Sequence, residues 1–206
     1  MILISPSQLR RPSELSTVRL LVLGTILRRG VTHGYGVHQD LTSWRADTWT
    51  SVKPGSIYHA LEKLEAQGMI MPADSGNPAK LGPSRTEYML TEQGKTEFQT
   101  LLENALKSND LQQLAAGIAF MEMLPRQHVI SILEERLIPL NQSVAFLKTL
   151  PTEPIPSDPS KHPELVGMWI GYMEYVVSAT RKLLQSLHAG KYKFIDEITD
   201  GGGEPS

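Results

Sequence analysis

At 206 residues, 40% hydrophobic and 20% charged, the chain is long enough for one large domain or two small ones and has the composition of a soluble globular protein. No apolar run approaches the roughly 18 to 20 residues of a membrane helix. Residues 1–12 carry no apolar stretch followed by a small-residue cleavage site, so a cytoplasmic location is expected. With no cysteine, disulfides, thiolate catalysis and cysteine metal sites are excluded together. The net charge of −2 is unevenly divided: residues 1–94 hold ten Lys/Arg against eight Asp/Glu, and residues 95–206 ten against fourteen. That asymmetry fits a weakly basic binding half joined to an acidic, partner-facing half.

Arg10 and Arg11 precede a cap at Ser13, and residues 15–27 form a helix that is apolar on most faces, ended by Arg28-Arg29-Gly30. Such a helix belongs in the middle of its domain. Residues 31–34 read as a turn, and residues 35–43 as a short second helix with Val37, Leu41 and Trp44 on one face. Residues 47–50 suggest a short strand.

Lys53-Pro54-Gly55 is a turn, Ser56 can cap the next helix, and Gly68 supplies a left-handed stop. Between them Ile57, Leu61 and Leu64 make one buried stripe. At about 100° per residue, Ser56, His59 and Lys63 fall on the opposite side, with Tyr58 at its flank. A short, polar, cationic face of this kind suits a major groove, with small donors toward base edges and a cation and phenol toward phosphates. An ordinary amphipathic helix with a solvated back has the same pattern. The residues after the helix separate the two: a short apolar run at 69–71, a Gly/Pro/Ser-rich loop over 72–84 carrying Lys80, then Arg85 and an alternating strand at 86–90. Helix, strand, loop and strand in that order make a winged helix.

Thr91 caps a helix to about residue 108, residues 111–124 form a second that ends before Pro125, and residues 126–150 form a third with a kink expected at Pro139. Residues 151–163 hold five prolines and read as an extended connector. The last helix, residues 164–187, has two apolar faces. One carries Leu165, Met168, Trp169, Tyr172, Tyr175, Val176, Ala179, Leu183 and Leu187, the other Val166, Ile170, Met173, Val177 and Leu184. One face toward its own chain and one toward a dimer mate is the simplest use of both. Phe120, Met121, Trp169, Tyr172 and Met173 could line an apolar pocket for a small aromatic effector, or could be plain core packing. Residues 201–206 read as a disordered tail.

No catalytic constellation is present. Gly34-Tyr35-Gly36 does not complete a nucleotide loop, because Gln39 stands where a third glycine is needed and no apolar strand precedes it. The six histidines show no i, i+4 pair and no HExxH, and there is no GxSxG, Walker loop or kinase set. Glu134-Glu135 and Asp196-Glu197 read as solvated pairs. Neither enzyme activity nor any cofactor or metal is expected.

Leu23-Gly24 with Gly34-Tyr35-Gly36, the run Pro54-Gly55-Ser56-Ile57-Tyr58-His59-Ala60-Leu61-Glu62-Lys63-Leu64-Glu65, Gly68-Met69-Ile70 and Tyr88-Met89-Leu90-Thr91-Glu92-Gln93-Gly94 together resemble the N-terminal domain of the PadR family of bacterial transcriptional regulators. The resemblance covers roughly residues 15–95. It implies a homodimeric, repressor-like winged-helix protein whose C-terminal helices make the dimer, with Tyr58 and Lys63 at the DNA backbone and Ser56 near the helix start. His59 departs from a common proline, and Thr86-Glu87 replaces a usual basic-aromatic pair, making the wing less cationic. The expected architecture is mainly α: a winged helix-turn-helix domain with a small antiparallel wing over residues 1–94, then an all-α dimerisation and effector domain over residues 95–200. The expected DNA-binding set is Lys53, Ser56, Tyr58, His59, Lys63, Lys80 and Arg85, acting on double-stranded DNA. The alternative is a winged-helix protein-interaction module that does not bind DNA.

Overall fold

A computed structural model describes residues 12–50, 52–73, 86–153 and 163–199. The N-terminal arm, the wing loop with Lys80 and Arg85, and the tail at 201–206 lie outside the described residues. The chain divides into two compact units, Met1–Met121 and Glu122–Ser206.

The first unit is assembled around α1 (Pro12–Arg29). Leu20, Leu21, Val22, Leu23 and Ile26 are all fully buried, as expected for a helix apolar on most faces. Gly30, at φ 75°, follows its basic last turn. Next come β1 (Thr32–His33), α2 (Gly34–Ser43), α3 (Ala46–Trp49) and α4 (Pro54–Ala66). After β2 (Ile70–Pro72) and β3 (Glu87–Leu90), α5 (Glu92–Lys107) and α6 (Leu111–Ile118) complete the unit. Helices α4, α5 and α6 and strand β3 all pack on α1. The expected boundary after residue 94 therefore differs from the compact division after Met121, because α5 and α6 belong to the α1 core.

The wing is an antiparallel sheet in the order β1-β3-β2, with Thr32 opposite Tyr88 and Ile70 opposite Leu90. Its third strand comes from residues 32–33, expected as a turn. The strand expected at 47–50 is instead the single helical turn α3, closed by the Thr50 amide and hydroxyl, which both donate to the Ala46 carbonyl. Thr91 caps α5 as expected, accepting from Gly94 N at 3.0 Å. Gly94 has no alternative there, since a Cβ would stand 1.9 Å from the Met69 carbonyl oxygen. The helix expected over 111–124 ends at Ile118, and a 3-10 turn comes next at Met121–Met123.

The second unit is the antiparallel pair α7 (Arg126–Leu147) and α8 (Pro163–His188), then the short α9 (Ile195–Thr199). Helix α7 runs without interruption through Pro139, whose ring is on an exposed position. Leu140, Val176 and Val177 are the buried centre, flanked by Leu137, Val144 and Met173. Buried Arg136 donates to Thr180 Oγ1 at 2.5 Å, and Arg181 to Asn141 Oδ1 at 3.1 Å.

Asp196 and Glu197, read from sequence as solvated, are engaged by Arg126. The Arg126 N–H donates to the Asp196 carboxylate at 3.2 Å, covering the start of α7, where Pro125 offers no side-chain cap. Its guanidinium donates to Glu197 and to the carbonyls of Leu187, Lys191 and Tyr192, and lies 4.5 Å over the ring of fully buried Phe194. Hydrogen bonds from Arg126, then from the Phe194 amide, hold the Glu197 carboxyl at about 2, below its ordinary 4.5. A depressed carboxyl stabilises the fold above the unfolded value, and that contribution is lost as pH falls through the folded one. The stability difference between wild type and Glu197→Gln should therefore be constant above pH 4.5 and vanish by about 2, read from denaturant midpoints of both proteins across that range.

Candidate nucleic-acid interface

Helix α4 is held at both ends and along one side. At its start the Lys53 N–H donates to Ser56 Oγ at 2.9 Å, and the Ser56 hydroxyl donates back to the Lys53 carbonyl at 2.7 Å. Pro54 at the first helical position brings its fixed φ and lacks only an N–H that would have no intrahelical partner. At its end Gly68, at φ 69°, sends its N–H to Glu65 O, and Met69 sends its own to Leu64 O. This is a Schellman stop. Along the side, Tyr58 lies across Gly34, where a Cβ would meet its ring at 2.6 Å. Tyr88 of β3 donates its hydroxyl to Glu65 at 3.2 Å. Burial first, and then the charge of Glu65, push the Tyr88 phenol above its ordinary value, so it remains a donor.

The stripe Ile57, Ala60, Leu61 and Leu64 is buried as expected. Opposite it stand Gly55, His59, Glu62, Lys63 and Ala66, all exposed. The side chains of His59 and Glu62 are 59% and 73% exposed, with His59 Nδ1 3.9 Å from Glu62 Oε2. Lys53 is exposed at the helix start and Tyr58 is half-buried at the flank. The structure thus brings Lys53, Tyr58, His59 and Lys63 to one helix, three of them exposed. Gly55, Glu62 and Ala66 share this face with His59, as the 100° step along a helix places them.

Ser56 is corrected. It is 3% exposed and its hydroxyl is spent on Lys53. The helix begins three residues earlier than the sequence suggested, with Lys53 rather than Ser56 at the cap, so Ser56 is the third helical residue, folded back on the cap rather than outward. The effector set is corrected in part. Phe120 is 0% exposed, with Trp44 and Phe98 edge-on to its ring at 5.5 and 5.9 Å and the Arg28 guanidinium 4.8 Å above it. It and Met121 are buried in the core of the first unit. In the second unit Trp169 and Tyr172 form an edge-to-face pair at 5.7 Å on the open side of α8, with Met173 partly buried beside the core. Leu165, Met168 and Tyr175 continue that exposed apolar stripe.

Among the described residues no group of His, Asp and Glu could hold a metal ion, and no helix is long and apolar enough to cross a membrane. Ser56→Ala should lower unfolding stability by about 1 kcal/mol, measured by denaturant titration, while leaving the affinity of the folded protein for any α4 ligand unchanged.

No curated protein matches the chain. Among solved structures it is similar to Bacillus subtilis PadR in complex with operator DNA, at 23% identity over 82% of this chain and 98% of that one, with a TM-score of 0.34. It is similar to Bacillus subtilis PadR in complex with p-coumaric acid at 20% identity, over 87% and 99%, with a TM-score of 0.34. The PadR-like transcriptional regulator BC1756 from Bacillus cereus is 17% identical over 84% and 99%, with a TM-score of 0.36. Superpositions this loose carry no argument about function. Residues 22–100 match the transcriptional regulator PadR-like family, across the segment that holds α4 and the wing strands. Over that segment the chain is similar to the PadR-like family of transcriptional regulators.

Proposed function

We propose that the protein is a cytoplasmic, dimeric, sequence-specific DNA-binding repressor that lays α4 of each protomer in a major groove of double-stranded DNA. The single observation that carries this reading is the open polar face of α4 on a helix fixed at both ends. His59 addresses base edges, Lys63 and Lys53 address phosphates as point charges, and Tyr58 offers a hydroxyl at the flank. Lys80 and Arg85 on the wing add contacts to the backbone. Two copies related by a dyad would set two half-sites at a fixed spacing.

Dimerisation falls to the second unit, through α8. Leu165, Met168, Trp169, Tyr172 and Tyr175 succeed one another at helical spacing on α8 and stay exposed while the opposite face packs on α7. An apolar stripe of this length on a soluble chain is a burial site awaiting a partner, and a second copy satisfies it by symmetry. Trp169, Tyr172 and Met173 are the residues proposed to meet a small aromatic effector, whose binding would alter the dimer and hence the spacing of the two α4 helices.

Lys63→Ala should weaken binding to every duplex to a similar degree and reduce the slope of log affinity against log salt by about one. Anisotropy titrations of labelled duplexes between about 50 and 200 mM salt check this, and an unchanged slope removes Lys63 from the phosphate contacts. Trp169→Glu should convert the dimer to monomer in sedimentation equilibrium, because a charge in an apolar interface is strongly disfavoured; a dimer of unchanged strength places the interface elsewhere.

A further inference from the structure

The face of α4 that the proposed function uses carries a carboxylate that neither its salt bridges nor its packing explains. Glu65, toward the sheet, is occupied by the Tyr88 hydroxyl. Glu62 faces outward at 73% exposure, and the His59 nitrogen 3.9 Å away is beyond hydrogen-bond reach. Its neighbours on the open face, Gly55 and Ala66, are short, and a Cβ on Gly55 would meet nothing within 4 Å. Glu62 and His59 therefore stand between two low points of the helix surface, where base edges can come close.

A carboxylate in a groove walled by phosphates is repelled unless it meets a donor. On the major-groove edge guanine offers N7 and O6 and thymine O4, all acceptors, which a carboxylate cannot satisfy. Adenine offers its N6 amine but with the N7 lone pair beside it, facing the second carboxylate oxygen. Cytosine offers its N4 amine with no acceptor adjacent. We propose that Glu62 is a specificity-determining residue that accepts from the N4 amine of a cytosine in each half-site and excludes guanine and thymine at that position. This rests on the major-groove placement of α4 proposed above. Lys63 then supplies attraction common to all sequences, and Glu62 subtracts from it wherever cytosine is missing.

The test is selection of binding sites from random duplexes by the full-length wild type, Glu62→Gln and Glu62→Ala, with subsequent titration of the selected duplex and its single-position variants at fixed salt. Circular dichroism checks that all three proteins are folded, which the exposure of Glu62 favours. Wild type should select cytosine at one position per half-site and lose about tenfold or more in affinity when it is changed. Glu62→Ala should lose that preference alone and bind unrelated duplexes more tightly. Glu62→Gln should move the preference to adenine, whose N6 and N7 match an amide. A wild type that selects a site without such a cytosine, or variants that select the same letters at every position, overturns the role of Glu62 and leaves the α4 reading standing. A wild type that selects no sequence overturns both.

Discussion

The orientation of α4 depends on one packing relation, the burial of its apolar stripe against α1. Each of Ile57, Leu61 and Leu64 contributes about 1.5 to 3 kcal/mol by leaving water, whereas a cap or a side-chain hydrogen bond contributes roughly 1. The stripe therefore decides which way the helix faces. The polar contacts decide where along its length it begins and ends. Lys53 and Ser56 fix the start, Gly68 and Met69 fix the stop, and Arg19 of α1 reaches Gln67 at 2.6 Å and Glu97 of α5 at 2.8 Å, tying the end of α4 to the frame. With both termini determined, His59, Glu62 and Lys63 are open because nothing in the unit has a reason to cover them.

The wing belongs to the same system. Tyr88 joins β3 to Glu65, and Thr91, directly after that strand, donates its hydroxyl to the Gly68 carbonyl at 2.7 Å. The residues that terminate α4 are thus hydrogen-bonded to those that launch α5. A shift of the wing strands and a shift of α4 along its axis are coupled through a few short bonds.

Much of this was legible in the sequence, where a residue type has one conformational use. The α4 stripe, the left-handed Gly68 and the Thr91 cap all derive from periodicity or capping chemistry. Two of the failures share a cause, which is length. A two-residue strand at Thr32–His33 has no alternation to detect, and the β-branched and aromatic residues Thr48, Trp49 and Thr50 resemble a strand in composition while forming one helical turn. Ser56 was misplaced because a serine that caps and a serine two residues inside a helix are alike in sequence when a proline can open the helix before it. For Phe120 core packing holds over the pocket, with Trp44, Phe98 and Arg28 closed around its ring. Arg126 and its carboxylates were invisible for the opposite reason, being 70 and 71 residues apart.

The central claim is that one side of α4 faces the core and the other meets a duplex, and backbone amide spectra distinguish the two sides directly. In a titration of isotopically labelled protein with its selected duplex, the side-chain and amide signals of Lys53, Gly55, His59, Glu62 and Lys63 should shift first and most, with those of Ile57, Leu61 and Leu64 nearly still. Shifts that spare α4 while duplex binds, or that fall equally on its buried stripe, would contradict the account.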